Sequence, residues 1–324
     1  MPIFLAGCGG RQSALDAHGV SAIGIKQLII LITAVCSVVW AAVMVALIVA
    51  LWRRRTERAR PIDLEPHLER RMFGTVLGAT IATTLIITGF TVASFFTTRA
   101  LGIAGGDELI IRVRGSQWWW NVEYLDPQLD KTFQTANEIH LPVGRNVHLK
   151  LEGDDVIHSF WVPSLAGKQD LIPGRVNELT IRAERAGIYR GQCAEFCGLQ
   201  HAHMAFLVVA EPQDQFDRWV NAQRQPAATA SGPEIESGRD TFLSKPCAAC
   251  HTIRGTPASG TTGPDLTHVG GRKTIAAGLF ETTRGSLAAW IADPQTLKPG
   301  NNMPMVPLTS EELRALSAYM ASLQ

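Results

Sequence analysis

This sequence of 324 residues lacks cysteines that are free to form structural disulfides. Four of its six cysteines form two close pairs, Cys193 with Cys197 and Cys247 with Cys250. Cys36 lies inside an apolar run, and Cys8 ends the short motif LAGC near the N-terminus. Because no thiol is left over, the cysteines do not indicate a framework of structural disulfides.

The sequence also has no marked excess of charge and no internal repeat. Thirty basic residues stand against 29 acidic ones, which leaves a formal net charge of +1. This balance gives no strongly basic surface, and we expect no nucleic acid among the partners. At this length the chain has room for about two domains.

Charged residues are absent from two long apolar runs, residues 27–52 and 72–96. Each exceeds the roughly 20 residues that a membrane-spanning helix needs, although two buried helices of a soluble protein are the alternative. We predict two transmembrane helices within residues 27–98. The loop between the runs has arginines close to the membrane ends, at Arg53, Arg54, Arg55, Arg58, Arg60, Arg70 and Arg71. Short arginine-rich loops stay in the cytoplasm, so both termini are expected on the outer side.

The motif LAGC looks like a lipoprotein processing box, whose cysteine is acylated on the outer side of the membrane. A secretory signal, however, needs a basic segment and about 7 to 15 apolar residues, and few residues precede Cys8. Two interpretations of the N-terminal segment, residues 1–26, stay open. Either the true start lies upstream and Cys8 is lipidated, or Cys8 is an ordinary thiol.

Beyond the apolar runs, the chain divides into a strand-rich part and a helix-rich part. Short alternating runs such as ELIIRVRG and NVHLKLEG, separated by turn residues, predict an antiparallel β-sandwich over residues 99–224. The tract RQPAATASGP predicts a flexible linker at 225–233. Residues 234–324 are expected to be helical and to end in a helix that Thr309 and Glu312 cap.

The motif CAACH in the helical part is typical of covalent haem c attachment. Cys247 and Cys250, one helical turn apart, can each bond a vinyl group of one porphyrin, and His251 then reaches the iron. By itself the motif also fits a redox-active cysteine pair or part of a zinc site.

A sixth iron ligand is expected downstream, where the segment KPGNNMPMVP contains two methionines. We choose Met303 over Met305, because its NMP context resembles small bacterial cytochromes c. A methionine ligand raises the haem potential and suits electron transfer. In those cytochromes a proline carbonyl accepts a hydrogen bond from the axial histidine, and Pro264 is placed for that role with His251.

A second concentration of soft ligands is the segment GQCAEFCGLQHAHM, residues 191–204. A catalytic thiol needs only one cysteine beside a base, and a disulfide over four residues would be strained. Zinc could take both cysteines and two histidines, but it would leave Glu195 and Met204 unused. Copper uses thiolate, imidazole and thioether together. Two cysteines can bridge two coppers, and His158 supplies the additional terminal imidazole.

These features, in their order along the chain, resemble subunit II of the haem-copper cytochrome c oxidases. The motifs are GSQWWWNVEY, DDVIHSFWVPSLAGKQDLIPGR and GQCAEFCGLQHAHM, after two membrane spans. The haem motif makes the chain similar to the fused, caa-type subunits of bacteria, from Cys8 to Gln324. The resemblance implies a transmembrane hairpin, a cupredoxin-like sandwich with a dinuclear CuA site, and an all-α class I cytochrome c domain.

The resemblance also implies a role for individual residues. Cys193 and Cys197 would bridge the coppers, with His158 and His201 as terminal ligands and Met204 as a weak axial ligand. The carbonyl of Glu195 would bind copper, and its side chain a Mg ion at the subunit I interface. Trp118 matches the exposed tryptophan at which an external electron enters, with Trp119 and Trp120 behind it.

Some positions depart from the family pattern or match it weakly. Trp119 stands where the family often has tyrosine, and Trp120 fits a core edge as well as any role. His203 lies where no ligand is expected, which favours a surface or interface position. Glu65 and Glu69 are the only weak matches for the proton-uptake carboxylate of some relatives.

The function implied is that of the electron-accepting subunit of a proton-translocating cytochrome c oxidase. Electrons would pass from cytochrome c, or an upstream membrane donor, to haem c, to CuA and to subunit I, where oxygen is reduced to water. Subunits I and III and membrane lipid are the expected partners, in a bacterial inner membrane with both termini periplasmic. The alternative is a membrane-anchored copper and haem carrier outside any oxidase. Nitrous oxide reductase also carries CuA, but it would need a larger chain than this one. A quinol oxidase subunit of the same fold is excluded if copper binds, because quinol-using relatives lack the cysteine pair.

Overall fold

The computed structural model describes residue 10 and residues 12–56, 66–101, 109–128 and 131–324. Cys8, the middle of the arginine-rich loop and Glu65 lie outside these residues. The chain divides into two compact units, the helical hairpin from Gly24 to Ile103 and the remainder of the chain.

The hairpin consists of two long helices, α1 (Val20–Thr56) and α2 (Pro66–Leu101). Both contain stretches long and apolar enough to cross a membrane, with mean hydropathies of 2.8 and 1.9. The threonines of α2 satisfy their hydroxyls within the helix, as when Thr84 Oγ1 donates to the carbonyl of Thr80 at 2.9 Å. Polar groups bonded in this way are tolerated in hydrocarbon. The two helices therefore have the properties predicted for residues 27–98.

Ten strands follow and form two five-stranded sheets. In chain order they are β1 (Leu109–Ser116), β2 (Trp119–Leu125), β3 (Phe133–Ala136), β4 (Glu138–Pro142), β5 (Val147–Gly153), β6 (His158–Trp161), β7 (Gln169–Leu171), β8 (Asn177–Ile181), β9 (Gly187–Cys193) and β10 (Ala205–Glu211). The sheet orders are β3-β2-β1-β5-β8 and β4-β10-β9-β6-β7. Most pairs are antiparallel as predicted, but β1 with β5 and β10 with β4 are parallel. The cupredoxin-like sandwich is therefore mixed rather than wholly antiparallel.

The sandwich core follows the period of two that strands impose on their side chains. In β5, Val147, Leu149 and Leu151 are fully buried, and the residues between them are partly exposed. An aromatic cluster fills the centre, where the Trp120 ring lies 5.1 Å from that of Phe206. Trp120 is almost fully buried, so it takes the core position that the sequence left open for it.

A connecting helix, α3 (Gln213–Arg224), leads to the C-terminal helical domain. That domain contains α4 (Pro233–Ser244), α5 (Cys247–Cys250), the hairpin of β11 (Thr274–Ile275) and β12 (Phe280–Glu281), α6 (Arg284–Ala292), α7 (Pro294–Leu297) and α8 (Ser310–Ser322). The predicted capping box at the start of α8 is present, with Thr309 and Glu312 each bonding the other's backbone. Helices α4 and α8 approach closely at Gly238, where a Cβ would lie 2.1 Å from the carbonyl oxygen of Ala315.

Hydrogen bonds join the sandwich directly to the helical domain. Ala205 N donates to the carbonyl of Ala277 at 3.0 Å, and Lys273 N donates to the Glu138 carboxylate at 2.8 Å. Part of the predicted linker is also bound, because Ala227 N donates to the carbonyl of Arg254 at 2.9 Å. This part of the segment is therefore bonded to the helical domain, and the flexible linker at 225–233 stays a prediction.

One buried ionic cluster lies near this contact and leads to a prediction about pH. His140 donates from both ring nitrogens to carboxylates, to Glu138 at 2.9 Å and to Glu211 at 2.8 Å, and its ring stacks on Trp219. Burial alone would lower the pKa of His140, but the two carboxylates outweigh it and raise the pKa above 6.5. Its contribution to stability is then complete below pH 6.5 and is lost as the pH rises through the raised pKa.

We therefore expect the melting temperature of the full-length protein to fall above neutral pH, and the fall to be smaller in His140→Gln. Glu138, whose pKa is lowered in spite of burial because His140 bonds it, adds an opposite loss at acidic pH. Melting curves between pH 5 and 9 for both proteins measure the effect. His148→Gln is the control, since His148 lies on β5 outside this cluster. Parallel pH profiles for His140→Gln and the unmodified protein would contradict the expectation.

Candidate copper and haem sites

The first candidate site lies where β6 begins and β9 ends, beside the loop that follows β9. His158 begins β6, Cys193 ends β9, and Met204 directly precedes β10. Cys197 and His201 lie on the loop between, which closes with a 3-10 turn at His201–His203. Two strands of one sheet thus hold one end of the ligand set, and the tight loop brings the other end back to it.

The side-chain atoms of this set converge without forming a disulfide or an ordinary hydrogen-bond network. Cys193 Sγ lies 3.7 Å from Cys197 Sγ and 3.8 Å from His158 Nδ1. Cys197 Sγ lies 3.6 Å from His201 Nδ1 and 3.8 Å from Met204 Sδ. Cysteine sulfur and histidine nitrogen bind zinc, a metal ion of similar size to copper, at about 2.0 to 2.3 Å. Ligand atoms 3.6 to 3.8 Å apart can therefore share one metal ion between them. The residues fit the copper pair that the sequence predicts.

The two thiols differ in acidity. The hydrogen bond from Cys197, followed by the contact with His158, lowers the pKa of the Cys193 thiol despite its burial. The neighbouring Cys193 sulfur in turn raises the pKa of Cys197. Thiolates are the form that binds metal, so loading the site releases the remaining proton.

A carboxylate that the sequence analysis did not single out orients the first ligand. His158 Nε2 donates to Asp155 Oδ1 at 2.8 Å, which leaves Nδ1 free to face Cys193. The other Asp155 oxygen accepts from Gln117 N at 2.6 Å. A histidine that binds metal is usually fixed in this way by a partner on its second nitrogen. Gly115 completes the fit, since a Cβ there would lie 2.9 Å from His158 Cδ2.

Glu195 lies on the same loop and presents two different groups. Its carbonyl oxygen lies 3.2 Å from Cys193 Sγ, so the backbone faces the sulfur cluster as expected. Its side chain is half exposed and lies 3.7 Å from Lys168 Nζ. His203, predicted to be no ligand, donates from Nδ1 to Gln200 Oε1 at 2.8 Å.

The second candidate site is a cavity of about 540 Å³, lined mostly by the helical domain and in part by Trp118 and Asn137 of the sandwich. Cys247, Cys250 and His251 belong to its lining. His251 Nδ1 donates to the carbonyl of Pro264 at 2.7 Å, the bond that the sequence predicts, and this directs Nε2 away from it. Gly263 leaves room for the imidazole, because a Cβ there would lie 2.6 Å from His251 Cε1. The residues fit a covalently attached haem.

The cavity lining also includes Met303 but not Met305, which is 61% exposed. The backbone of the methionine loop is fixed from within. Gln295 Nε2 donates to the carbonyl of Met303, and Met303 N donates to Asn301 Oδ1, both at 2.8 Å. Met303, the methionine chosen from its sequence context, therefore lies at the cavity, and Met305 does not.

Trp118 lies between the two candidate sites. It lines the haem cavity, and its Nε1–H donates to the carbonyl of Cys197 at 2.9 Å. The side chain is only 8% exposed, whereas the resemblance predicts an exposed tryptophan. The helical domain covers it, since a Cβ on Gly300 would lie 3.7 Å from Trp118 Cη2.

Two residues near these sites were missed by sequence reasoning, Asp155 and Lys298. Asp155 had a detectable signal, because an acid three residues before a metal-binding histidine is placed to bond it. Lys298 had none. Its Nζ donates to the carbonyls of Trp118 and His203, each at 2.8 Å, so its position depends on how the two domains meet.

Comparison with known proteins supports both halves of this arrangement. Residues 128–211 match the family described as cytochrome C oxidase subunit II, periplasmic domain, and residues 235–324 match the family described as cytochrome c.

Two curated relatives match along the whole chain. The chain is 33% identical over 331 residues to cytochrome c oxidase subunit 2 of Alkalihalophilus pseudofirmus, covering 100% of this chain and 95% of the relative. It is 29% identical over 344 residues to cytochrome c oxidase subunit 2 of Bacillus subtilis, again covering 100% and 95%. The crystal structure of the periplasmic domain of subunit II of cytochrome oxidase of Bradyrhizobium japonicum is similar over 38% of this chain and 97% of that domain, with 31% identity and a TM-score of 0.35.

Proposed function

Because this chain belongs to the cytochrome c oxidase subunit 2 family and includes a cytochrome c domain, we propose that it delivers electrons to the oxygen-reducing subunit. The route runs from a cytochrome c donor to haem c, then to CuA, then to the haem-copper subunit I. The catalytic site for oxygen reduction lies in that partner. Subunit III and membrane lipid are the other proposed partners. The proposed domains are residues 99–224 for copper and 234–324 for haem.

When bound, haem c and the copper pair supply the one-electron redox chemistry that amino-acid side chains lack. Cys247 and Cys250 would attach the haem, with His251 and Met303 on its iron. The six residues proposed to hold copper are His158, Cys193, Glu195 through its carbonyl, Cys197, His201 and Met204. The half-exposed Glu195 carboxylate is the proposed Mg ligand at the interface with subunit I.

The position of Trp118 is the observation that supports this route. Its indole joins the haem cavity to the backbone of a proposed copper ligand, through the hydrogen bond from Nε1 to the Cys197 carbonyl. Its low exposure means that an external protein reaches this side chain only if the helical domain moves. We infer that the external donor reduces the haem domain and that Trp118 serves the internal transfer.

The N-terminal segment supports the proposed orientation in the membrane. His18 N donates to the carbonyl of Ser164 at 2.7 Å, and Glu184 N donates to the carbonyl of His18 at 2.8 Å. The residues before α1 therefore lie against the sandwich, as a hairpin of two spans with both ends on one side requires. We propose that this side is the periplasm of a bacterial inner membrane and that Cys8, outside the described residues, is lipidated there.

Metal and haem analysis of the detergent-purified full-length protein tests the function. We expect a copper pair with a mixed-valence EPR signal and a covalently bound haem c in each chain, copurifying with oxygen-reducing activity. Zinc in place of copper would overturn the proposal. Copper and haem in a membrane protein that never associates with an oxidase would favour the membrane-anchored carrier instead.

A further inference from the structure

Lys298 is a buried lysine in the contact between the sandwich and the haem domain. It is 2% exposed, and its Nζ donates to three carbonyls, those of Trp118 at 2.8 Å, His203 at 2.8 Å and Ala276 at 3.2 Å. Among the described residues no carboxylate forms an ion pair with it. The ammonium is therefore held mainly by oriented backbone carbonyls, with the Cys197 sulfur as a further favourable charge.

A buried ammonium is an expensive way to join two surfaces. Burial lowers the pKa of Lys298 to about 7, because water no longer solvates the charge and the nearby Cys197 sulfur opposes the fall only in part. An apolar side chain of the same length would fill the space without that penalty. An ammonium, in contrast, fixes the relative position of the groups it joins. It donates hydrogen bonds to several acceptors at once, and only one placement of the side chain satisfies them all.

The three acceptors fix the haem domain relative to the copper site. Trp118 lies between the haem cavity and Cys197, and His203 belongs to the turn that also carries a proposed copper ligand. Ala276 lies in the haem domain next to β11. The ammonium therefore joins the tryptophan, the copper loop and the haem domain at a single point.

The same lysine begins the loop that carries the axial methionine. Two residues later Gly300 approaches both Trp118 and Leu199, and its positive φ of 80° suits glycine. Gln200 Nε2, from the copper loop, donates to the carbonyl of Pro299 at 2.8 Å. The segment from Lys298 to Met303 thus contacts Trp118 at its start and lines the haem cavity at its end.

We propose that Lys298 is a positioning residue for internal electron transfer, which sets the register of the Met303 loop on Trp118. This inference rests on the proposed function, since it assumes that both cofactors are present. It predicts that removing the ammonium leaves both cofactor sites intact and changes only how the two domains meet. Because electron transfer between two cofactors weakens steeply as the packed path between them lengthens, a displaced loop should lower its rate.

The test compares Lys298→Met with the unmodified protein in the assembled oxidase, measuring haem-to-copper electron transfer after rapid photoreduction of the haem. We expect a clear loss of rate while the haem spectrum and the copper EPR signal stay unchanged. Lys298→Gln, which keeps two donors, should lie between. Lys245→Met is the control, because Lys245 pairs with Glu312 on the haem domain and has no contact with Trp118.

A second measurement reports the docking itself. Trp118 is 8% exposed when the domains are joined, so oxidative footprinting should label it more in Lys298→Met than in the control. An unchanged transfer rate with unchanged labelling would overturn the proposal. So would loss of the methionine-ligated haem spectrum or failure to accumulate, since Lys298 would then be needed for the fold of the haem domain. Absence of copper or haem from the unmodified protein would instead contradict the proposed function.

Discussion

Replacing Cys197 with serine is expected to abolish the copper pair and with it electron delivery. Cys197 Sγ is the atom shared by the contacts to Cys193 Sγ at 3.7 Å, His201 Nδ1 at 3.6 Å and Met204 Sδ at 3.8 Å. Without it, His158 and Cys193 stay together on their strands but lose their link to the loop ligands. A serine hydroxyl is a poor substitute, because soft thiolate is what copper prefers.

The mixed-valence EPR signal should disappear, and oxygen consumption should fall by at least about 100-fold, since even changes in residues that only support metal ligands cost about 10- to 100-fold. The haem spectrum should persist, because the haem residues belong to the other domain. Cys36→Ser is the matched control, as this exposed thiol lies on the first membrane helix. A mixed-valence signal that survives in Cys197→Ser would contradict the bridging role.

The parts of the two sites that the sequence predicts are those that the chain encodes locally. CAACH places Cys247, Cys250 and His251 within one turn, and the segment 191–204 carries most of the copper ligands. These spacings carry chemical meaning without any knowledge of the fold. His158 required more, because a β-sandwich is needed to bring its strand beside Cys193, and the resemblance supplied that step.

The parts that the sequence does not predict depend on how domains meet. The linker composition indicates flexibility, but Ala227 is bound to the carbonyl of Arg254. Trp118 matches an exposed position, yet its burial depends on the loop around Gly300 in the other domain. Lys298 gives no local signal, because its acceptors Trp118 and His203 lie far from it in the chain.

The parallel strand pairs were missed for a related reason. Alternation of apolar and polar residues shows that a segment such as β5 is a strand with one buried face, and this prediction is confirmed. The pattern carries no information on the direction of the neighbouring strand. Strands β1 and β5 are parallel because the chain passes through the other sheet, at β4, before it returns beside β1. This path becomes apparent only in the assembled sandwich.

Replacing Met303 with leucine is expected to remove the methionine-ligated haem spectrum and to leave the copper signal intact. Met303 lines the haem cavity, and its backbone is held by Gln295 and Asn301, so the loop should keep its shape when the thioether is lost. Leucine has a similar volume and no atom that binds iron. The change therefore removes a ligand rather than a structural element.

The reduction potential of the haem should fall as well, because a methionine ligand raises it. For a one-electron carrier, each fall of about 59 mV changes the equilibrium constant tenfold. Reduced haem would then accumulate less readily from the external donor, and oxidase turnover should fall with it. Potentiometric titration and visible spectra of the full-length protein measure both effects.

Met305→Leu is the control that makes this prediction sharp. Met305 is two residues away on the same loop but is 61% exposed and does not line the cavity, so its replacement should leave spectrum and potential unchanged. If Met305→Leu removes the spectrum while Met303→Leu does not, the axial ligand is Met305. Lys298 would then not position the axial ligand in the way proposed, because the register of the loop on Trp118 was assigned with Met303 at the iron.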